Sequence, residues 1–118
     1  MSDSQITDQE FALFQRLIYK IAGISLSEAK KVLRIAVARD NDNPFAWYQL
    51  GIVYEHEGDR PRAALATAER YSLEGQAAPA LHSAEQAMTG LEKGTPDWIR
   101  AQDIAMVSKN ALEKRKRR

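Results

Sequence analysis

The chain has 118 residues, of which 44% are hydrophobic and 28% are charged, and it contains no cysteine. This length and composition are typical of one soluble globular domain, and they exclude disulfide scaffolds, thiolate metal sites and cysteine nucleophiles. Because no apolar run approaches the roughly 20 residues of a membrane span, and because the polar N-terminus is unlike a signal peptide, we expect a soluble, cytoplasmic protein with no membrane partner.

The net charge of +1 is unevenly distributed along the chain. The five positive residues at 114–118 leave a charge of −4 on the remainder. A nucleic-acid-binding domain should carry its positive charge on the folded surface, so no nucleic-acid partner is expected. We interpret 114–118 as a solvated basic tail, where cations also suit the end of a helix.

The first helix has a clear start and a clear end. Thr7 and Glu10 have the three-residue spacing of a capping box. Ile6 and Phe11 flank this cap as the two residues of a hydrophobic staple. Apolar residues then recur at helical spacing, and Gly23 is expected to end the helix in a left-handed conformation.

The second helix begins in the same way, because Ser25 and Glu28 repeat the capping-box spacing. The polar stretch at 40–44, which ends in proline, is a strong helix breaker. We therefore expect one continuous helix over 26–39. Its apolar residues share one face: Leu26, Ala29, Leu33, Ala36 and Val37.

Four further helices are separated by glycine, asparagine and proline signals. Asn43 and Thr95 are expected to cap two of them, and Gly58 and Gly75 to end two others. No convincing strand is present, and short connections favour antiparallel neighbours. The sequence thus predicts an all-α fold of about six antiparallel helices, stacked as helical hairpins. The predicted ranges of the last four are about 44–57, 61–73 and 77–90, and from 96 onward.

One segment has the W-x2-L-G-x2-Y spacing of a tetratricopeptide (TPR) helix, in the residues Trp47, Leu50, Gly51 and Tyr54. Gly51 is expected to allow two helices to cross closely, with Ala63 as the small contact on the returning helix. The pattern weakens afterwards, because Thr67 and Arg70 stand where small or apolar residues are usual. We therefore expect a degenerate, TPR-like right-handed stack.

The predicted core draws large side chains from all six helices. Burying these faces against each other should account for the stability of a single domain over 1–113. The core candidates are Phe14, Leu17, Ile18, Leu33, Trp47, Leu50, Tyr54, Tyr71, Met88 and Trp98.

No catalytic, cofactor or metal site is predicted. A zinc-protease helix needs H-E-x-x-H, but His56 and Glu57 are followed by Gly58, and Arg60 occupies the position of the second histidine. His82 lies on another helix without a neighbouring group of acids. The six glycines are isolated, so no phosphate-binding loop is present. We expect the chain not to be an enzyme and to need no cofactor.

Residues 35–111 resemble the C-terminal TPR region of bacterial zinc-dependent proteases. The resemblance rests on WYQLG at 47–51, EHEGD at 55–59, AERY at 68–71 and GTPDWIRAQDI at 94–104, of which the last is the most specific. It implies an accessory helical tail, since the protease domain of that family lies upstream of this region.

Residues 6–33 resemble an unrelated family, the chemotaxis receptor methyltransferases, in the first two helices of their N-terminal domain. The residues that carry this are FALFQRLIY at 11–19, AGISL at 22–26 and AKK at 29–31. In that family a catalytic domain that binds S-adenosylmethionine follows, and nothing here resembles it. The basic run after the second helix of the family is also missing, so its function is not implied.

The two resemblances meet inside the helix at 26–39, where Ala29 and Leu33 fit both patterns. Natural fusions usually join whole domains through exposed linkers. A junction in mid-helix, which keeps the helical phase and needs no new loop, instead indicates an engineered chimera with no native activity. Such a chimera requires no partner, and we expect a recombinant monomer. Two other interpretations of the junction are a natural fusion and a fragment that contacts chemoreceptors.

The alternative function is a TPR-like module that binds peptides. TPR stacks present a concave groove, lined by the first helix of each hairpin, to a peptide or protein segment. The candidate groove residues on such a helix are Tyr48, Gln49 and Glu55.

Overall fold

The computed structural model describes residues 8–21, 23 and 25–117. In these ranges the chain forms α-helices and no strand, which confirms the all-α prediction, and helix bounds from α2 to α5 lie within one residue of those expected. Thr7, Ile6 and the side chain of Phe11, on which the predicted cap and staple rest, lie outside the described residues. The helices are α1 (Asp8–Ile21), α2 (Leu26–Arg39), α3 (Pro44–His56), α4 (Arg60–Leu73), α5 (Ala77–Gly90) and α6 (Pro96–Lys116).

Side-chain caps fix where most of the helices begin. The carboxamide oxygen of Asn43, for example, accepts hydrogen bonds from the first free N–H groups of α3, at 3.0 Å from Phe45 N. Gly58 and Gly75, with φ of 79° and 74°, turn the chain at the ends of α3 and α4, as expected. The residues that cap α2, α3, α4 and α6 are Ser25, Asn43, Asp59 and Thr95.

From α2 onward each helix packs against the next along the chain, and α4 also contacts α6. The apolar interior consists of two clusters that meet at α4. One joins α2, α3 and α4 through Val37, Trp47, Leu50, Tyr54, Ala63 and Ala66. The other joins α4, α5 and α6 through Leu65, Ala68, Ala80, Ala84, Ala87, Ala101 and Ile104. Because alanine occupies most contact positions of the second cluster, these backbones approach closely.

The predicted core is confirmed for its middle part. Trp47, Leu50 and Tyr54 are buried, and Leu33 packs against the same cluster. In the other cluster, the partly buried residues include two predicted core members, Tyr71 and Met88. Trp98 is half-buried.

The prediction is wrong for α1. Phe14, Leu17 and Ile18 are 54%, 52% and 40% exposed, and neither cluster contains any of the α1 side chains that the structure describes. No other helix makes more than marginal contact with α1. The expected continuous helix over 26–39 is present as α2, and it packs against α3. An ion pair of 3.1 Å between Lys30 Nζ and Glu57 Oε1 also joins α2 to the end of α3.

The expected close crossing at Gly51 is not tight. A Cβ atom built on Gly51 would lie 3.6 Å from the Cβ of Ala66 and 3.8 Å from the carbonyl oxygen of Ala63, which is ordinary van der Waals contact. Space for a methyl group is therefore available where α3 crosses α4.

Candidate ligand-binding cleft

A cleft of about 260 Å³ opens between α2, α4 and α6, with α3 forming its floor. Buried apolar residues of α2, α3 and α4 line it, among them Val37, Trp47, Leu50, Leu65 and Ala66. Charged and polar side chains from the other helices stand around this floor. The cleft therefore combines an apolar surface with charged groups, as sites for small ligands commonly do. Its polar and charged lining consists of Arg34, Asn41, Tyr54, Arg62, Asp97 and Arg100.

Trp47 is held in one position by two contacts. Its indole Nε1 donates a hydrogen bond of 2.8 Å to the backbone carbonyl oxygen of Asn41, in the turn before α3. The guanidinium carbon of Arg100, from α6, lies 5.2 Å from the centroid of the ring, within the range of a cation–π interaction. The indole face is thus a fixed part of the cleft.

Two of the three cleft arginines are neutralised by acids. On α4, Arg62 Nε lies 2.9 Å from Asp97 Oδ2, and Arg62 NH1 lies 3.1 Å from Asp59 Oδ2. The hydrogen bond to Asp59 is the main reason that the pKa of Arg62 is raised above its ordinary value. On α6, the guanidinium of Arg100 pairs with the carboxylate of Glu69, which is itself buried.

Arg34 is different. It projects from the exposed side of α2 and has no carboxylate within 4.0 Å among the described residues. Burial raises the pKa of the nearby Tyr54 hydroxyl, and the charge of Arg34 is the strongest influence in the opposite direction. Arg34 therefore acts electrostatically on the interior of the cleft without forming an ion pair among the described residues.

The three predicted groove residues do not converge on one site, and none of them lines this cleft. Tyr48 lies near the start of α3, where the guanidinium carbon of Arg70 is 5.0 Å from its ring centroid. Glu55 is exposed at the other end of α3 and lines a separate groove between α3, α4 and α5. Gln49, which follows Tyr48 in α3, is half-buried. Their proposed role stays a prediction.

Sequence reasoning missed the cleft arginines because each has the pattern of an ordinary solvated helix cation. Arg34, Arg62 and Arg100 are separated by 28 and 38 residues in sequence, on three different helices. Only the TPR-like motif of α3, which supplies the aromatic floor, was a usable signal for this region.

The histidines do not form a site. His56 is the last residue of α3, and its buried Nε2 has no hydrogen-bond partner, whereas His82 is exposed on α5. In the part of the chain that the structure describes, no group of three or more His, Cys, Asp or Glu residues is placed to hold a metal ion. None of the helices described there is long and apolar enough for a transmembrane segment.

The predicted basic tail is partly helical. Residues 114–116 continue α6, and the guanidinium of Arg115 lies 3.4 Å from the carbonyl oxygen of Gly75, to which it donates a hydrogen bond. This contact helps to satisfy a carbonyl group near the end of α4.

Comparison of the chain with known proteins finds no matching family model, no similar curated protein and no similar solved structure.

Proposed function

We propose that the chain is an engineered chimera of two helical fragments, joined within α2, and that it has no catalytic activity. The observation that supports this proposal most is the contrast between α1 and α2. The junction helix α2 is continuous over Leu26–Arg39, yet Phe14, Leu17 and Ile18 of α1 remain 40–54% exposed.

This contrast between α1 and α2 has a simple physical explanation. The apolar face of an amphipathic helix normally packs against the core of a protein. Burying one large apolar side chain there stabilises the protein by about 1.5–3 kcal/mol. Phe14, Leu17 and Ile18 are placed at the spacing of such a face, but about half of that stabilisation is not realised. A helix taken from a different domain, where the face was covered, would leave this arrangement.

Truncation tests the proposal. Removing residues 1–25 should leave the thermal midpoint within about 4 °C of the full chain, which corresponds to less than about 1 kcal/mol, because neither apolar cluster includes a described side chain of α1. Removing residues 1–43 is the matched control. It also deletes α2, uncovers Trp47 and Tyr54, and should lower the midpoint strongly.

Two results would overturn the proposal. One is a loss of cooperative unfolding on removal of residues 1–25 alone, which would make α1 an integral part of the core. The other is a natural gene that encodes this chain without interruption across residues 30–38, since the junction would then be a product of evolution.

The alternative is a TPR-like module that binds a peptide on the face of α3 and α5. It is favoured by the groove of about 450 Å³ between α3, α4 and α5, which Glu55, Thr67, Ser83 and Gln86 line. A peptide-display screen on the full chain separates the two candidates. Selective capture of one peptide, lost in Glu55→Gln but kept in the control Glu113→Gln on the far end of α6, would favour the module.

A further inference from the structure

We propose that two copies of this chain pair through α1, in antiparallel orientation about a two-fold axis, to form a weak and reversible dimer. The surface is the α1 face, which consists of Leu13, Phe14, Leu17 and Ile18, and its occupant is the α1 face of a second copy. The proposal goes beyond the proposed function, because the pairing depends on the residues of α1 and not on the origin of the chain. The monomer expected from the sequence then prevails only in dilute solution.

The α1 face gathers four large apolar side chains within two helical turns. All four are between 40% and 60% exposed. Because side chains four residues apart lie one above the other on a helix, Leu13 stands next to Leu17, and Phe14 stands next to Ile18. Single exposed apolar residues are common on protein surfaces, whereas a contiguous apolar patch marks an interaction site. The α1 face therefore requires an apolar partner.

The order of these residues along α1 makes the face complementary to itself. In a two-fold interface, residue i of one copy contacts residue j of the other, and residue j contacts residue i. The four apolar residues are placed evenly about the midpoint between positions 15 and 16. An antiparallel pair centred there brings Leu13 opposite Ile18 and Phe14 opposite Leu17, each of them twice. The helix dipoles also oppose each other in this orientation, which is favourable.

The charges at the two ends of α1 select the same orientation. Glu10 and Lys20 are both exposed, and each lies five residues from position 15. In the antiparallel pair, Glu10 of each copy therefore lies at the level of Lys20 of the other. A carboxylate has two oxygens, so Glu10 can accept this cation in addition to contacts within its own chain. A parallel pair would bring acid to acid and cation to cation, and like charges repel.

An exposed apolar patch on α6 lacks this symmetry. Ile99, Met106 and Val107, which form the α6 patch, are between 45% and 63% exposed. Asp103 is also exposed and lies near the centre of the patch in sequence. Two α6 helices paired in antiparallel orientation about this centre would bring their Asp103 carboxylates together, and these repel each other. The α6 patch is therefore not a self-pairing surface, and it provides a matched control.

The length of α1 predicts a weak dimer. The helix has 14 residues and is therefore about 21 Å long. A contact between two helices of this length buries less than the roughly 1,200 Å² of a standard-size interface. Because interfaces of about 1,600 Å² reach only micromolar dissociation constants at their weak end, we expect a dissociation constant of about 10–100 µM here.

Sedimentation equilibrium of the full chain, at concentrations from well below to well above this dissociation constant, provides the first test. The mean mass should rise from that of one chain to that of two and then remain constant. A mass that stays at one chain throughout would overturn the proposal. Growth beyond two chains would also overturn it, because unlimited growth indicates an unsymmetrical contact, such as α1 of one copy on the α6 patch of another.

Two apolar substitutions assign the contact to α1. Leu17→Glu places a charge in the α1 face and should weaken the dimer at least tenfold. Met106→Glu places the same charge in the α6 patch, at a residue of similar exposure, and should change the dissociation constant less than twofold. Because both side chains are exposed, the far-ultraviolet circular dichroism of both variants should match that of the parent. Equal weakening by the two substitutions would rule out α1 as the interface.

Charge reversal tests the antiparallel orientation. Glu10→Lys and Lys20→Glu each bring like charges together at both ends of the pair, so each variant alone should dimerise at least fivefold more weakly than the parent. An equimolar mixture of the two variants should dimerise to within twofold of the parent, because the acids of one variant then face the cations of the other. Damage to the start of α1 would not be repaired by mixing. A mixture that associates no better than the separate variants would disprove the antiparallel pair.

Discussion

Gly90 and Pro61 approach so closely that no side chain fits between them. A Cβ atom built on Gly90 would lie 2.5 Å from Cγ of Pro61 and 3.0 Å from its Cβ. The pyrrolidine ring is rigid and lies in the first turn of α4, so it cannot move away without moving the helix. This contact seats the last residue of α5 against the first turn of α4.

Gly90→Ala should therefore destabilise the protein by about 1–3 kcal/mol, the usual cost of forcing a methyl group into a filled site. The higher helix propensity of alanine offsets only part of this cost. Urea unfolding measures the change directly. A variant as stable as the parent would show that α4 and α5 can separate at this end without penalty.

Gly51→Ala is the matched substitution, and its expected sign is opposite. The new methyl group would meet Ala66 at an ordinary distance of 3.6 Å. Alanine is favoured over glycine inside a helix by about 0.8–1 kcal/mol, so the variant should be as stable as the parent or more stable. A clear loss of stability in urea unfolding would restore the interpretation that this position requires glycine.

Leu50→Ala should cost about 2–5 kcal/mol, because Leu50 is 3% exposed in the cluster that joins α2, α3 and α4. Val32→Ala is the control from the neighbouring helix. Val32 is 65% exposed, so its truncation should change the free energy of unfolding by no more than about 0.5 kcal/mol. Comparable losses for the two variants would mean that the outer face of α2 is covered.

Stability should fall in alkali through Tyr54. Burial raises the pKa of its hydroxyl above the ordinary value of 10.0, so the folded state holds the proton more tightly than the unfolded state. This stabilising contribution is complete below about pH 10 and is lost as the pH rises through the raised pKa. Thermal unfolding as a function of pH should show a steeper alkaline decline for the parent than for Tyr54→Phe. Parallel curves for the two proteins would show that Tyr54 does not contribute.

The helices were predictable because their signals are local. Ser25, Asn43 and Thr95 are capping residues by type and position, and the structure has each at the start of a helix. Gly58 and Gly75 likewise adopt the positive φ that their places after α3 and α4 predict. The inward face of α5, with Ala80, Ala84 and Ala87, follows from helical periodicity alone.

The site was not predictable in the same way. Arg34, Arg62 and Arg100 belong to three helices, and nothing in their local sequence distinguishes them from surface cations. Their effect depends on which acids lie within reach in space, and the pairing of Arg62 with Asp97 spans 35 residues of sequence. Periodicity shows that a residue lies on a helix face, but not which other helix that face meets.

The sequence by itself determined that this chain is helical, where most of its helices start and stop, and that Trp47, Leu50 and Tyr54 of α3 point inward, because capping, turn geometry and periodicity act within a few residues. Only the tertiary structure decided that Phe14, Leu17 and Ile18 of α1 stay outside the apolar clusters, that Gly90 and not Gly51 marks the tighter helix contact, and that no described acid pairs with Arg34. These outcomes depend on the distances between helices, and such distances follow from how all the faces pack together.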